Sequence, residues 1–199
     1  MDKSLSCRRQ SWLIAFAILL LLTACGRAKP SPGAALTDSA STPVADPANL
    51  ASLVLAVPPD GAVGPARARA TAKPGDRIVL VGEVGGRKVG SLDPELAVFY
   101  LADPEAVVNC ARKHEGPDGC QTPWDYCCEP KDKLLTALAL IQVRDPNPGQ
   151  VLTRSLRGWN GLKELSRVTV VGTVDAASSP AALVVNLEGI YFHPSPVTP

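Results

Sequence analysis

Arg77-Ile-Val-Leu-Val-Gly-Glu-Val84 and Arg167-Val-Thr-Val-Val-Gly-Thr-Val174 decide the fold. The first is β-branched and apolar on both faces, as in a buried strand, and the second echoes it. A glycine inside an apolar strand marks a bend or a close backbone approach, and a small barrel needs such bends to close. Leu96 to Leu101 and Leu135 to Val143 read as the second and third strands. Asp145-Pro-Asn-Pro-Gly149 then turns the chain into Gln150 to Leu156, and Asn160 is placed to cap a helix of one or two turns through Leu165. Ala182 to Phe192 supplies the last strand. Ahead of the first strand, Ala66 to Lys73 favours a short helix, stopped by Pro74-Gly75. The expected domain therefore spans residues 66–194, enough chain for one hydrophobic core, and residues 195–199 form a tail.

Five strands, a short helix before the fourth and glycine-bent first and fourth strands match the OB-fold order. Across about residues 75–193 the sequence resembles the OB superfamily, carried by Val81-Gly-Glu-Val84, Phe99-Tyr-Leu-Ala-Asp103 and Val171-Gly-Thr-Val174. The resemblance implies a mainly β protein: a small five-stranded OB-like barrel with short helices and a disulfide-rich insertion between strands 2 and 3. A β-sandwich with Greek-key links is the rival arrangement.

Cys110, Cys120, Cys127 and Cys128 all fall in that insertion, within 19 consecutive residues. An even, tightly grouped set reads as two disulfides in an oxidising compartment. Vicinal Cys127 and Cys128 would pair with each other only in a strained ring, so each is expected to reach back, one to Cys110 and one to Cys120. Sequence does not choose between the two pairings. The alternative is a soft-metal or redox site built from Cys110, His114, Cys120, Cys127 and Cys128. Against metal stands the spacing, because Cys-x2-Cys and His-x3-His are both missing; against redox work, Cys-x-x-Cys is missing too.

Thr122-Pro-Trp-Asp-Tyr-Cys-Cys128 is the most unusual string in the chain. Together with Gly85-Gly-Arg87 and Gly161-Leu-Lys-Glu-Leu165 it resembles a motif of uncharacterised exported bacterial proteins with an OB-like domain. That resemblance carries a fold and no activity. Trp124 and Tyr126 read either as a lid packed over one barrel end or as an aromatic ligand platform, with Asp125 for polar recognition. Gly85 to Ser91 looks briefly like a phosphate loop but lacks the Gly-Lys-Ser/Thr ending. In OB folds the loop after the first strand and the loop near Asp175 to Ala181 border the binding face. Arg87 and Lys88 are therefore candidates for an anionic or saccharide ligand.

Catalysis has little support. His114 and His193 are the only histidines, and nothing pairs Asp103, Asp118 or Asp125 for acid–base work. No enzyme activity and no cofactor is expected.

The N-terminus supplies an address. Lys3, Arg8 and Arg9 precede the apolar run Trp12 to Leu22, which is too short to span a bilayer as a helix. Leu22-Thr-Ala-Cys25 follows and reads as a lipobox, and about residues 1–26 resemble bacterial lipoprotein signal peptides, with residues 1–24 as the part removed. The resemblance implies cleavage before Cys25, a diacylglyceryl thioether and an N-acyl chain such as palmitate on that residue, and anchoring in the envelope. Arg8-Arg9 also suggests twin-arginine export, although Ser11-Trp12-Leu13 departs from that pattern. Gly26 is not the aspartate that retains many lipoproteins in the inner membrane, so the outer membrane facing the periplasm is the expected place. Residues 25–65, rich in Ala, Pro and small polar residues, read as a disordered tether in which only Leu50 to Val57 could form a brief helix or strand. Without residues 1–24 the chain carries 17 basic against 18 acidic residues, which gives no footprint for nucleic acid. The expected partners are the lipid bilayer and an envelope protein or saccharide, met by a monomer.

Overall fold

The computed structural model of the chain describes residues 50–113 and 119–194. The signal peptide, Cys25, most of the tether, His114, Asp118 and residues 195–199 lie outside the described residues. Strands β1 (Arg77–Val84), β2 (Val98–Ala102), β3 (Leu138–Gln142), β4 (Arg167–Val174) and β5 (Leu183–Phe192) close into one barrel in the order β1-β2-β3-β5-β4. β3 and β5 run parallel, and the other neighbours run antiparallel. This is the OB-like arrangement that the strand order predicts.

The two echoing strands pair with each other, from Arg77 opposite Thr173 to Glu83 opposite Arg167. Their glycines sit where backbones crowd. A Cβ on Gly82 would stand 2.6 Å from the Ala102 carbonyl oxygen, and one on Gly172 would stand 2.2 Å from that of Asn186. Gly172 also marks a shift in the β4–β5 register, the bulge that lets the wall curve. Inside, Leu80, Val84, Phe99, Leu101, Ile141, Val170 and Ile190 form the core. Burying such side chains contributes about 1.5–3 kcal/mol each, and this is what holds the barrel together.

Three local expectations change. Residues 50–65, assigned to the tether on composition, pack on the barrel instead. Leu50 and Leu53 are buried in a 3-10 turn, and the Leu55 amide donates to the Ile190 carbonyl at 2.8 Å. Val63 donates to the Val79 carbonyl and accepts from the Val81 amide, both at 3.0 Å. β1 pairs with β2 only at Glu83 and Val84, and β5 pairs with β3 only as far as Asn186. This N-terminal arm therefore occupies backbone that the splayed strands leave unpaired. Pro65–Thr71 follows as helix α1, close to expectation.

The third strand begins at Leu138 rather than Leu135, because Lys131–Thr136 forms a helix. Pro130 at its mouth and Asp132 in its first turn favour that start. Asn160 does not cap a helix. It lies inside a 3-10 turn, Trp159–Gly161, at φ 46°. Leu165 also takes a positive φ, and its amide donates to the Val84 carbonyl at 2.8 Å. That bond to β1 draws the backbone out of any helical path.

Candidate functional site

The insertion between β2 and β3 is built around Tyr126. Helix α2 (Cys110–Lys113) precedes it, and the Lys131–Thr136 helix, α3, follows. The Tyr126 ring is fully buried with Ala102, Val107, Ala137 and Leu138, a second small core outside the barrel. Its hydroxyl donates to Glu83 Oε2 at 3.2 Å, and burial next to that carboxylate raises its pKa. A Cβ on Gly85 would meet the Tyr126 ring at 2.6 Å, and the Gly86 amide donates to the Trp124 carbonyl at 2.7 Å. Gly85-Gly-Arg87 and the Thr122–Cys128 string, linked in sequence only by resemblance, thus sit against each other.

Tyr126 is therefore a core residue and offers no exposed platform. Asp125 is buried as well. Its carboxylate accepts from Thr122 Oγ1 and from the Cys127 amide, both at 2.9 Å, and so shapes the turn that presents the cysteines. Trp124 is half-buried, and its indole N–H is buried without a protein partner. Arg87 lies over the Tyr100 ring at 4.9 Å and donates to its hydroxyl at 2.9 Å; Lys88 beside it is exposed. The structure thus separates the sequence candidates: Arg87 and Lys88 on the β1–β2 loop, Trp124 beside it, and Asp125 and Tyr126 inside.

Glu129 fastens the insertion from within. Its carboxylate is nearly inaccessible and pairs with Lys113 at 2.5 Å and Lys133 at 3.2 Å, while the Val108 amide donates to it at 3.1 Å. The Lys113 ammonium and these donors hold it down at about 2.

The four cysteines converge on one edge of this unit. Cys110 Sγ lies 2.9 Å from Cys128 Sγ and 3.4 Å from Cys127 Sγ. Cys127 Sγ lies 3.7 Å from Cys120 Sγ and 3.8 Å from Cys128 Sγ. No S–S bond joins any of them here. The environments differ: burial pushes the Cys110 thiol up, while the Thr122 backbone amide lowers Cys120. Contact with Cys110 and Cys120 pushes Cys127 up to about 12. Since the thiolate is the reacting form, these surroundings favour Cys120 over Cys110 and Cys127 for thiol–disulfide exchange.

Sequence reasoning missed a polar cleft beside the insertion. Glu83, on β1, accepts from Asn109 Nδ2 at 2.8 Å and from Arg112 Nη2 at 3.1 and 3.2 Å, besides Tyr126. This carboxylate forms one wall of a cleft of about 570 Å³ that continues to Lys163, Arg167 and His193. His193 Nε2 lies 2.8 Å from Thr169 Oγ1, and burial together with Arg167 lowers its pKa. No spacing in the sequence signals this cleft, because its residues come from four separate segments. Asp103, weighed at first as an acid, instead accepts from the Ala66 amide at 3.1 Å at the mouth of α1. Comparison with protein-family profiles, with curated proteins and with solved structures finds no match, so the strand order and the site geometry carry the assignment.

Proposed function

We propose that the chain is a lipid-anchored, extracytoplasmic binding module rather than an enzyme, with a disulfide-closed insertion forming one wall of its binding cleft. The lipobox at Leu22 to Cys25 supports the location, with Cys25 as the acylated residue on the periplasmic side of the outer membrane. The observation that carries the binding role is the way the insertion is fastened. Tyr126, Asp125 and Glu129 all spend their polar atoms inside the protein, and the cleft beside them stays open. Residues spent on scaffolding are not free for acid–base work, whereas a rigid concave surface suits recognition.

The same reading selects a cysteine pairing. Cys110 and Cys128 have the shortest separation, which leaves Cys120 with Cys127. Each bridge forms as two thiols give up two protons and two electrons to a disulfide-bearing thiol oxidant of the envelope, which is reduced to its dithiol. A bridge closing a loop of this size contributes about 2–4 kcal/mol. Peptide mapping without reductant, on protein purified from the envelope, should return Cys110 linked to Cys128 and Cys120 to Cys127. Cross-linking in intact cells should capture an envelope protein or saccharide, and a domain that captures nothing would remove the binding role.

One observation favours a second reading. A sulfur from each of Cys110, Cys120 and Cys127 and a carboxylate oxygen of Asp125 lie within 4.8 Å of one another. Three thiolates and a carboxylate suit zinc, and the thiolates alone suit Cu(I). Bridging needs no ion and leaves Asp125 in its bonds to Thr122 and the Cys127 amide. Four free thiols with one equivalent of zinc or copper in the purified protein would move the assignment to metal handling.

A further inference from the structure

We infer that the cleft beside the insertion binds an acidic saccharide unit, a hydroxylated ring carrying a carboxylate or a phosphate. This gives the binding module a ligand class and rests on that reading.

The charges come first. Arg112, Lys163 and Arg167 line the cleft together with one acid, Glu83. Arg112 already matches the Glu83 charge, so the cleft keeps a surplus of two positive charges. Among the described residues no acid pairs with Lys163 or Arg167. Glu164, the acid next in sequence, is held in two bonds by Arg157.

These cations stand on ordered backbone. Arg167 opens β4 opposite Glu83, and its carbonyl accepts from the His193 amide at 3.0 Å. Lys163 lies in a turn closed by its amide on Ser166 Oγ and by the Ser166 amide on its carbonyl, both at 3.1 Å. The ordered backbone sets where both side chains start, so an anion has only the side chains themselves left to order.

The remaining lining asks for more than a bare anion. Asn160 presents a neutral amide at the surface, and the Ser166 hydroxyl, already accepting from Lys163, keeps its own proton to donate. Phe192 adds a half-buried ring, held edge-on against Trp159 at 5.6 Å between centroids. Cations for the acid group, an amide and a hydroxyl for ring hydroxyls, and an aromatic wall for C–H faces together suit a charged sugar. A volume of about 570 Å³ holds such a unit, whereas an inorganic ion would fill little of it.

The test titrates the purified full-length chain by calorimetry with galacturonate, glucose 6-phosphate, glucose and inorganic phosphate. One or both acidic sugars should bind at least tenfold more tightly than glucose and inorganic phosphate, and the tighter of the two identifies the acid group. Lys163→Gln with Arg167→Gln, both at exposed positions, should reduce that binding at least tenfold, while Lys131→Gln, exposed and outside the cleft, leaves it unchanged. Failure of both acidic sugars to bind, or equal binding by the double variant, overturns the inference, and so does inorganic phosphate binding as well as either. A chain that fails here yet still cross-links to an envelope partner keeps its role as a binding module and loses only this ligand class.

Discussion

Single residues in the Thr122–Cys128 string divide their labour in a way that composition hides. Tyr126 looks like a recognition residue because tyrosine is common at interfaces, yet its ring fills a small core and its hydroxyl meets Glu83. Tyr126→Ala should cost about 3–5 kcal/mol in chemical denaturation, the range for removing a buried aromatic ring. Tyr126→Phe removes only one hydrogen bond to a charged acceptor and should cost about 1.5–3 kcal/mol. Equal losses in the two variants would mean that the ring contributes no packing. Asp125 was legible as polar and Trp124 as large, but neither residue type says whether a side chain faces in or out. That information comes from Gly85, whose missing Cβ makes room for the Tyr126 ring.

Among the elements, the insertion depends on Glu129 as the barrel does not. This one carboxylate joins Lys113 of α2, Lys133 of α3 and the Val108 amide. Its pKa in the folded protein is lowered from 4.5 to about 2. A depressed carboxylate contributes stability that is fully present above its unfolded value and is lost as pH falls through the folded one. The insertion should therefore loosen as pH drops from about 4.5 towards 2. Protection of the Val108 amide against hydrogen exchange, taken relative to its intrinsic rate, should fall over that window before that of the β1–β4 amides. Glu129→Gln should lower protection at Val108 already at neutral pH and leave it nearly unchanged across the same range.

The strands themselves were legible because β-branched runs and interior glycines are local signals. The cleft was not. Arg112, Lys163 and Arg167 are separated by up to 55 residues, and only the register that sets Glu83 opposite Arg167 brings them together. Helix α3 was missed for a related reason: Leu134 and Leu135 continue into the apolar run of β3, and hydrophobicity alone marks no boundary there.

For the whole molecule, the N-terminal arm changes where the working domain starts. A Pro-rich composition argued for a tether as far as residue 65, but Leu50 and Leu53 are buried and Val63 bonds to β1. Leu53→Ala should cost about 2–5 kcal/mol in a denaturant melt, a loss no disordered tether would show. Deleting residues 50–63 should do more than lower the melting temperature. It would bare backbone donors and acceptors on β1 and β5, and the shortened protein should associate more than the intact chain in light scattering at the same concentration.

Closure of β1 on β4 also governs how the chain reaches its native state. Their paired residues lie between 84 and 96 positions apart, so the seam cannot form until almost the entire domain is in one compartment. Contacts this distant in sequence slow folding, because the entropy of closing the loop is lost before the contact forms. The cysteine segment spans only 19 residues and needs no such wait. Under the proposed function, a newly exported chain would thus gather its insertion while the barrel is still open, and oxidation would precede closure. On that reading, refolding from the reduced state should run slower than refolding with the two proposed bridges formed.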